Sequence, residues 1–390
     1  MSKTSTEINQ LVNTRASREQ DVKANGSVAS GSPYCCGPVH VPFAIQKWCV
    51  LLLVALAACS SPKDHLPTPV EVDYRTELPL KLTYDIAEQI ITPTLVVSVN
   101  GVANELVFDT GSAGLRILPG ALKGANLTIN TNQLTYGYGS SRGSITINGR
   151  QASGTFSVGG LAATAPVHIM LIDTIRRSAT DAGRSTLDSV TVPNHHFRNL
   201  AGILGVGMRN REGSDVASPL AQLPGNNSYL IRFPAYGQPM GSVILNPNES
   251  DLAGFTFFPL AKGNYPMPNG LSSWTDDQLN GIAVLNGLTV RAPALLDTGT
   301  PTTHISAFNL HHYGILDQGS VVKMGLAQRG QPSALVDTTF RVTSQVVGKD
   351  LVHTNVPTWT EPSLVFGTNF FFFFDVYYDQ KGGRIGIKKK

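Results

Sequence analysis

The chain has 390 residues, with 30 Lys or Arg against 27 Asp or Glu and a formal charge of +3 at neutral pH. The basic excess is concentrated before Cys59, and the remainder carries 25 basic against 24 acidic residues, so no charge imbalance calls for a nucleic-acid partner. All four cysteines, Cys35, Cys36, Cys49 and Cys59, fall within the first 59 residues, which leaves the globular part without disulfides, and the length suffices for two lobes.

Residues 1 to 46 are rich in Ser, Gly, Asn and Gln and show no periodicity, a composition expected to stay disordered. Lys47 then precedes an apolar run, Trp48 to Ala58, too short to span a bilayer but suited to a signal-peptide core. The run closes on Leu56-Ala57-Ala58-Cys59-Ser60, which resembles the bacterial lipobox. That resemblance implies cleavage before Cys59 and lipidation of its thiol. With Ser60 rather than Asp beside it, the same resemblance implies the outer membrane of a bacterial cell envelope as the destination. Three acyl chains would anchor the protein stably. Residues 1–58 are therefore read as leader and signal peptide, and 59–79 as lipidated Cys and tether, extended by Pro62, Pro67, Pro69 and Pro79.

Residues 80–236 and 237–390 read as two lobes of short Val, Ile and Thr runs broken by Gly and Asn, an all-β signature. Leu95 to Val99 and Glu105 to Phe108 are strand-like, with Asn100-Gly101 as the hairpin turn between them. The second run delivers Asp109-Thr110-Gly111-Ser112, and Ile117 follows. The pattern returns after Ala294-Leu295-Leu296 as Asp297-Thr298-Gly299-Thr300, with Ile305 at the same offset. A D-T-G triplet arises by chance about once in several thousand positions, so two copies in matching apolar frames mark a repeat. An Asp at the end of a buried strand is held rigidly. Gly111 allows a sharp turn that brings its N–H to the carboxylate, and Thr110 offers a hydroxyl to lock the loop. Two such loops face to face would make two carboxylates share one proton. The ionised one activates a water and the protonated one polarises a carbonyl: general acid–base peptide hydrolysis with no metal, cofactor or covalent intermediate.

These residues resemble the pepsin-like aspartic proteases of the retropepsin clan. Ala201-Gly202-Ile203-Leu204-Gly205-Val206-Gly207 resembles the apolar-Gly stretch that threads behind the family's first catalytic loop, and Val365-Phe366-Gly367 is similar to its second-lobe counterpart. Tyr136-Gly137-Tyr138-Gly139-Ser140 resembles the tip of the flap that closes over substrate, with Tyr136 as the flap tyrosine and Ser144 to Ile147 as the second arm. Gly241 to Leu245 resembles the strand opening the second lobe, and Trp274 to Val284 the strand before the second triplet. Gly367 to Asp379 resembles the closing helix and strand, and Arg384 to Ile387 the last strand. The likeness covers Leu80 to Ile387. The stretch from Phe108 to Ile117 also resembles a group of uncharacterised bacterial lipoproteins.

Two positions depart from the family pattern. Arg116 stands where a Trp usually supports the flap tyrosine, and either caps the Tyr136 ring as a cation or projects into solvent. Pro301 replaces a common Ser and removes an N–H from its loop. The segment Arg176 to Asn199 reads as a polar loop; its His195-His196 lacks ligand partners at metal spacing. His304, His311 and His312 read as packing or solvated residues, Phe370 to Phe374 as core, and Lys388 to Lys390 as a solvated tail.

The expectation is an all-β, bilobal aspartic endopeptidase with Asp109 and Asp297 as catalytic pair. Thr110, Gly111, Ser112, Thr298, Gly299 and Thr300 form its loops, and Tyr136 and Gly137 its flap. It would act as a monomer on peptide or protein, held to the membrane through Cys59, with no nucleic acid. The alternative is a lipid-anchored binding module that keeps the cleft without the activity.

Overall fold

The computed structural model describes residues 73–87, 90–140, 143–179, 185–190, 196–210, 216–343, 350–355 and 361–390. The expected leader and signal peptide, Cys59, most of the tether and His195 lie outside them. Among the described residues the structure is almost entirely β, in one sheet of sixteen strands and one of eight, with a single six-residue α-helix. No helix among them is long and apolar enough to cross a membrane.

The first strand, Thr76–Asp85, buries Leu78, Leu80 and Leu82 and exposes the residues between, the alternation of a half-buried strand. It opens four residues before the expected start of the first lobe and pairs with both Ile90–Val99 and Met240–Leu245. The larger sheet thus draws strands from both halves of the sequence: Thr256–Pro259, Phe374–Asp379 and Arg384–Lys389 also belong to it. Asn100 and Gly101 make the expected turn, with φ of 47° and 80°, between Ile90–Val99 and Val102–Asp109.

The two halves repeat one arrangement. Gly202–Val206 runs parallel to Val102–Asp109, with Gly205 opposite Asp109, and antiparallel to Ala113–Ile117. In the smaller sheet Ser363–Phe366 runs parallel to Leu288–Leu296 and antiparallel to Thr303–Ser306. Each apolar-Gly strand is therefore threaded between the strand that delivers an Asp and the strand that leaves it. The following glycines complete the parallel. Gly207 donates its N–H to the Ser112 carbonyl at 2.8 Å, and Thr368, just after Gly367, donates to the Thr300 carbonyl at 2.8 Å.

One hydrophobic cluster runs continuously through both sheets. The Phe run lies within it as expected: Thr368–Phe373 is the helix and Phe374–Asp379 the next strand, with Phe370 stacked on Phe366 at 5.3 Å and on Phe374 at 4.5 Å. Burying each such ring contributes about 2–3 kcal/mol. A second cluster, around Ile147, Met170, Ile175 and Phe197, seats the long hairpin of Thr128–Ser140 and Gly143–Gly154.

Two expectations need correction. Arg176 to Asn199 is not wholly a loop. Val167–Ala179 is one long strand along the hairpin, and Ser185–Asp188 pairs with its end. Its charged residues are matched across strands: Arg150 meets Asp173 at 3.0 Å and Arg177 meets Asp188 at 2.7 Å. The hairpin keeps the expected arms: Tyr136 pairs with Ile147 and Gly139 with Ser144, and it closes at the Ser140–Gly143 pair. The basic C-terminal run is not a solvated tail. Lys388 and Lys389 belong to the last strand, and Lys390 Nζ donates to the carbonyls of Phe233 at 2.6 Å and Phe371 at 2.8 Å, where burial lowers its pKa.

Candidate active site

Asp109 ends its strand buried, 4% exposed, and Asp297 follows Leu288–Leu296 half-buried. The loops that carry them are cross-locked. Thr110 Oγ1 donates to the Leu296 carbonyl at 2.8 Å and accepts the Thr298 N–H at 3.0 Å. Thr298 Oγ1 donates to the Phe108 carbonyl at 2.7 Å and accepts the Thr110 N–H at 3.0 Å. Both threonines are fully buried, so these four bonds satisfy backbone groups that water does not reach.

The glycines bring the carboxylates together. A Cβ on Gly111 would fall on the Asp297 carboxylate, and one on Gly299 would come within 2.6 Å of Asp109 Oδ1. Close approach, rather than an unusual backbone angle, makes glycine necessary at both positions. Each carboxylate is then held by its own loop. Gly111 N–H donates to Asp109 Oδ1 at 2.7 Å and the Ser112 hydroxyl to Oδ2 at 2.5 Å. Gly299 N–H donates to Asp297 Oδ1 at 2.8 Å, Thr300 N–H to the same oxygen at 3.1 Å, and the Thr300 hydroxyl to Oδ2 at 2.7 Å. Although one edge of Asp297 meets solvent, its carboxyl lies deep among protein atoms. Burial pushes its pKa up to about 7, helped by the charge of Asp109 and a hydrogen bond between the two carboxyls, against the opposing donors of Thr300 and Gly299. The pair therefore keeps a proton on Asp297 up to about neutral pH.

Of the two readings of Arg116, the cation over the ring is the observed one: the residue is 3% exposed, and its guanidinium carbon sits 3.4 Å from the Tyr136 centroid. It also donates to the carbonyls of Ala113 at 2.7 Å and Gly114 at 3.2 Å, so Tyr136 rests on a cation fixed to the loop that carries Asp109. Tyr138, two residues on and on the same face, packs on Tyr136 at 4.8 Å. Its buried hydroxyl lies within reach of Ser112 but without a hydrogen bond of good geometry, and burial raises its pKa. Gly137, between them, has open space around its α-carbon. Pro301 leaves the second loop intact, since Thr300 supplies the hydroxyl on Asp297 and the Pro301 carbonyl accepts from Thr368.

Sequence reasoning does not reach two further arginines. Arg209, 5% exposed, pairs with Asp276 at 2.6 Å and donates to the Gly111 carbonyl. Burial would lower its pKa, but Asp276 and Asp277 more than offset that and raise it. Arg198 donates to Thr92 Oγ1 at 2.9 Å and to the Gly299 carbonyl at 3.2 Å. An arginine just past an apolar-Gly strand is a faint sign of a buried cation, but nothing local points to acceptors so distant in sequence. His304 stacks on His353 at 5.0 Å, and burial lowers its pKa to about 4, so it is a neutral packing residue. Among the described residues no group of three or more His, Cys, Asp or Glu is placed to hold a metal ion. Neither a protein-family model nor a curated protein matches the chain.

Proposed function

We propose that the chain is an aspartic endopeptidase of pepsin-like, bilobal fold, lipid-anchored at Cys59 in a bacterial envelope and acting as a monomer on peptide or protein. The observation that carries this reading is the cross-locked pair of loops in which each glycine packs against the opposite aspartate. Asp109, braced by Gly111 and Ser112, takes a proton from water as that water attacks the scissile carbonyl, while Asp297 gives its proton to the carbonyl oxygen. The tetrahedral diol collapses as Asp297 takes a hydroxyl proton back and Asp109 passes its own to the leaving nitrogen. The dyad ends as it began, with one proton.

The test is cleavage of a mixed peptide library by residues 61–390 between pH 3 and 8, with and without a statine-type peptide, whose hydroxyl mimics the diol. Cutting blocked by that peptide supports the reading. A folded fragment that cuts nothing but retains a peptide would make the binding module the better account. Lipidation is tested separately, by mass spectrometry of the native protein: an unmodified Cys59 or an intact leader would refute it.

A further inference from the structure

Arg198 stands out among the charges around the dyad. It occupies a turn in which Arg198 and Asn199 adopt left-handed backbone, φ 56° and 66°, a conformation disfavoured for side-chain-bearing residues. The turn is held by fully buried Phe197, whose carbonyl accepts the Leu200 N–H at 3.0 Å. This unfavourable backbone aims the guanidinium between the strand Ile90–Val99 and the loop that carries Gly299. Thr92, one acceptor, lies on the strand beside Asp109, and the Gly299 carbonyl, the other, lies on the opposite loop. Arg198 forms no ion pair with a carboxylate among the described residues; the negative charges acting on it are those of Asp109 and Asp297.

The other charged and titratable groups facing the dyad sharpen the point. Arg209 lies against Asp276 and Asp277, and Arg116 lies under Tyr136. Tyr138, Tyr229 and Tyr378 are buried with raised pKa values and stay neutral. Three guanidinium groups and two carboxylates leave one positive charge in excess, which a dyad holding a single proton balances.

We propose that Arg198 is a positioning residue of the dyad, the standing counter-charge that keeps one of the two carboxylates ionised while its fork fixes the Gly299 loop. The proposal rests on the reading of Asp109 and Asp297 as a working acid and base. Burial of a cation without its own partner is costly, and the ionised dyad offsets that cost. Burial lowers the pKa of Arg198 to about 10, which still leaves it charged throughout the working range. Removing the charge would therefore strengthen proton binding by the dyad.

The test compares Arg198→Gln, which keeps amide donors but loses the charge, with Arg198→Lys, which keeps the charge but loses the fork. In the full chain, carbon-13 NMR of labelled Asp carboxyls, assigned by Asp297→Asn, gives the upper titration midpoint of the dyad. Gln is expected to raise that midpoint by about one pH unit and Lys to leave it near the wild-type value. A rise under about half a unit in Gln, or an equal rise in Lys, overturns the proposal. Should Gln not fold, the Lys midpoint decides: near wild type supports the proposal, and a rise of about half a unit or more overturns it. Peptide cleavage is followed in parallel, and its pH profile should move with the midpoint. If the wild type cuts nothing, the peptidase reading fails while the midpoint still judges Arg198.

Discussion

Replacing Asp297 with Asn should stabilise the fold at neutral pH while abolishing catalysis. The carboxyl titrates near 7 in the folded chain and at an ordinary value near 3.8 in the unfolded one, so between those limits the folded state holds a proton that the unfolded state has released. By linkage, stability then falls as pH rises through that window; it is unaffected below the lower limit. At 1.36 kcal/mol per pH unit the span is worth about 4 kcal/mol by pH 7, and solvent at the open edge of Asp297 reduces this to about 2 kcal/mol. Asn fits the same bonds, because its oxygen can accept from Gly299 and Thr300 while its amide donates to a rotated Thr300 hydroxyl. Urea denaturation at pH 3.5, 5 and 7 reads the effect. The variant should match wild type at pH 3.5 and exceed it increasingly toward pH 7. Parallel curves for the two proteins across this window would refute the reasoning.

Other substitutions test the remaining parts of the site. Thr110→Val leaves the Leu296 carbonyl and the Thr298 N–H without partners and should cost about 2–4 kcal/mol in chemical denaturation. Adding Thr298→Val should cost less than the sum of the two single changes, since both act on one network. Gly299→Ala places a methyl 2.6 Å from Asp109 Oδ1, so peptide cleavage should vanish even where circular dichroism reports a folded chain. Arg116→Met removes the cation beneath Tyr136 and should cost about 1–2 kcal/mol. Hydrogen exchange over the hairpin strands should quicken in that variant, while the strands of the smaller sheet stay protected.

What was legible in the sequence was what is local. The D-T-G loops, the Asn100-Gly101 turn and the apolar-Gly strands each carry their pattern within ten residues, because an Asp at a strand end and a glycine packed against it leave little choice of neighbours. The Phe run was legible for the same reason. Arg198, Arg209 and Asp276 were not, because their meaning lies in partners 67 to 106 residues away. The strand Val167–Ala179 was hidden by Asp173, Arg176 and Arg177, which look like loop residues until Arg150 and Asp188 are seen across the ladder. For Arg116 the sequence leaves a cation over Tyr136 and a side chain in solvent equally open, and only the folded hairpin, which runs from Tyr136 on to the Ser140–Gly143 pair, decides between them.

The most direct test of the central claim is kcat/KM for one cleaved peptide with wild type, Asp109→Asn and Asp297→Asn, each shown to be folded. A proton-sharing pair predicts that either substitution lowers the value by about a thousandfold or more, because each carboxyl does work the other cannot replace. Cleavage within about tenfold of wild type in either variant would contradict it.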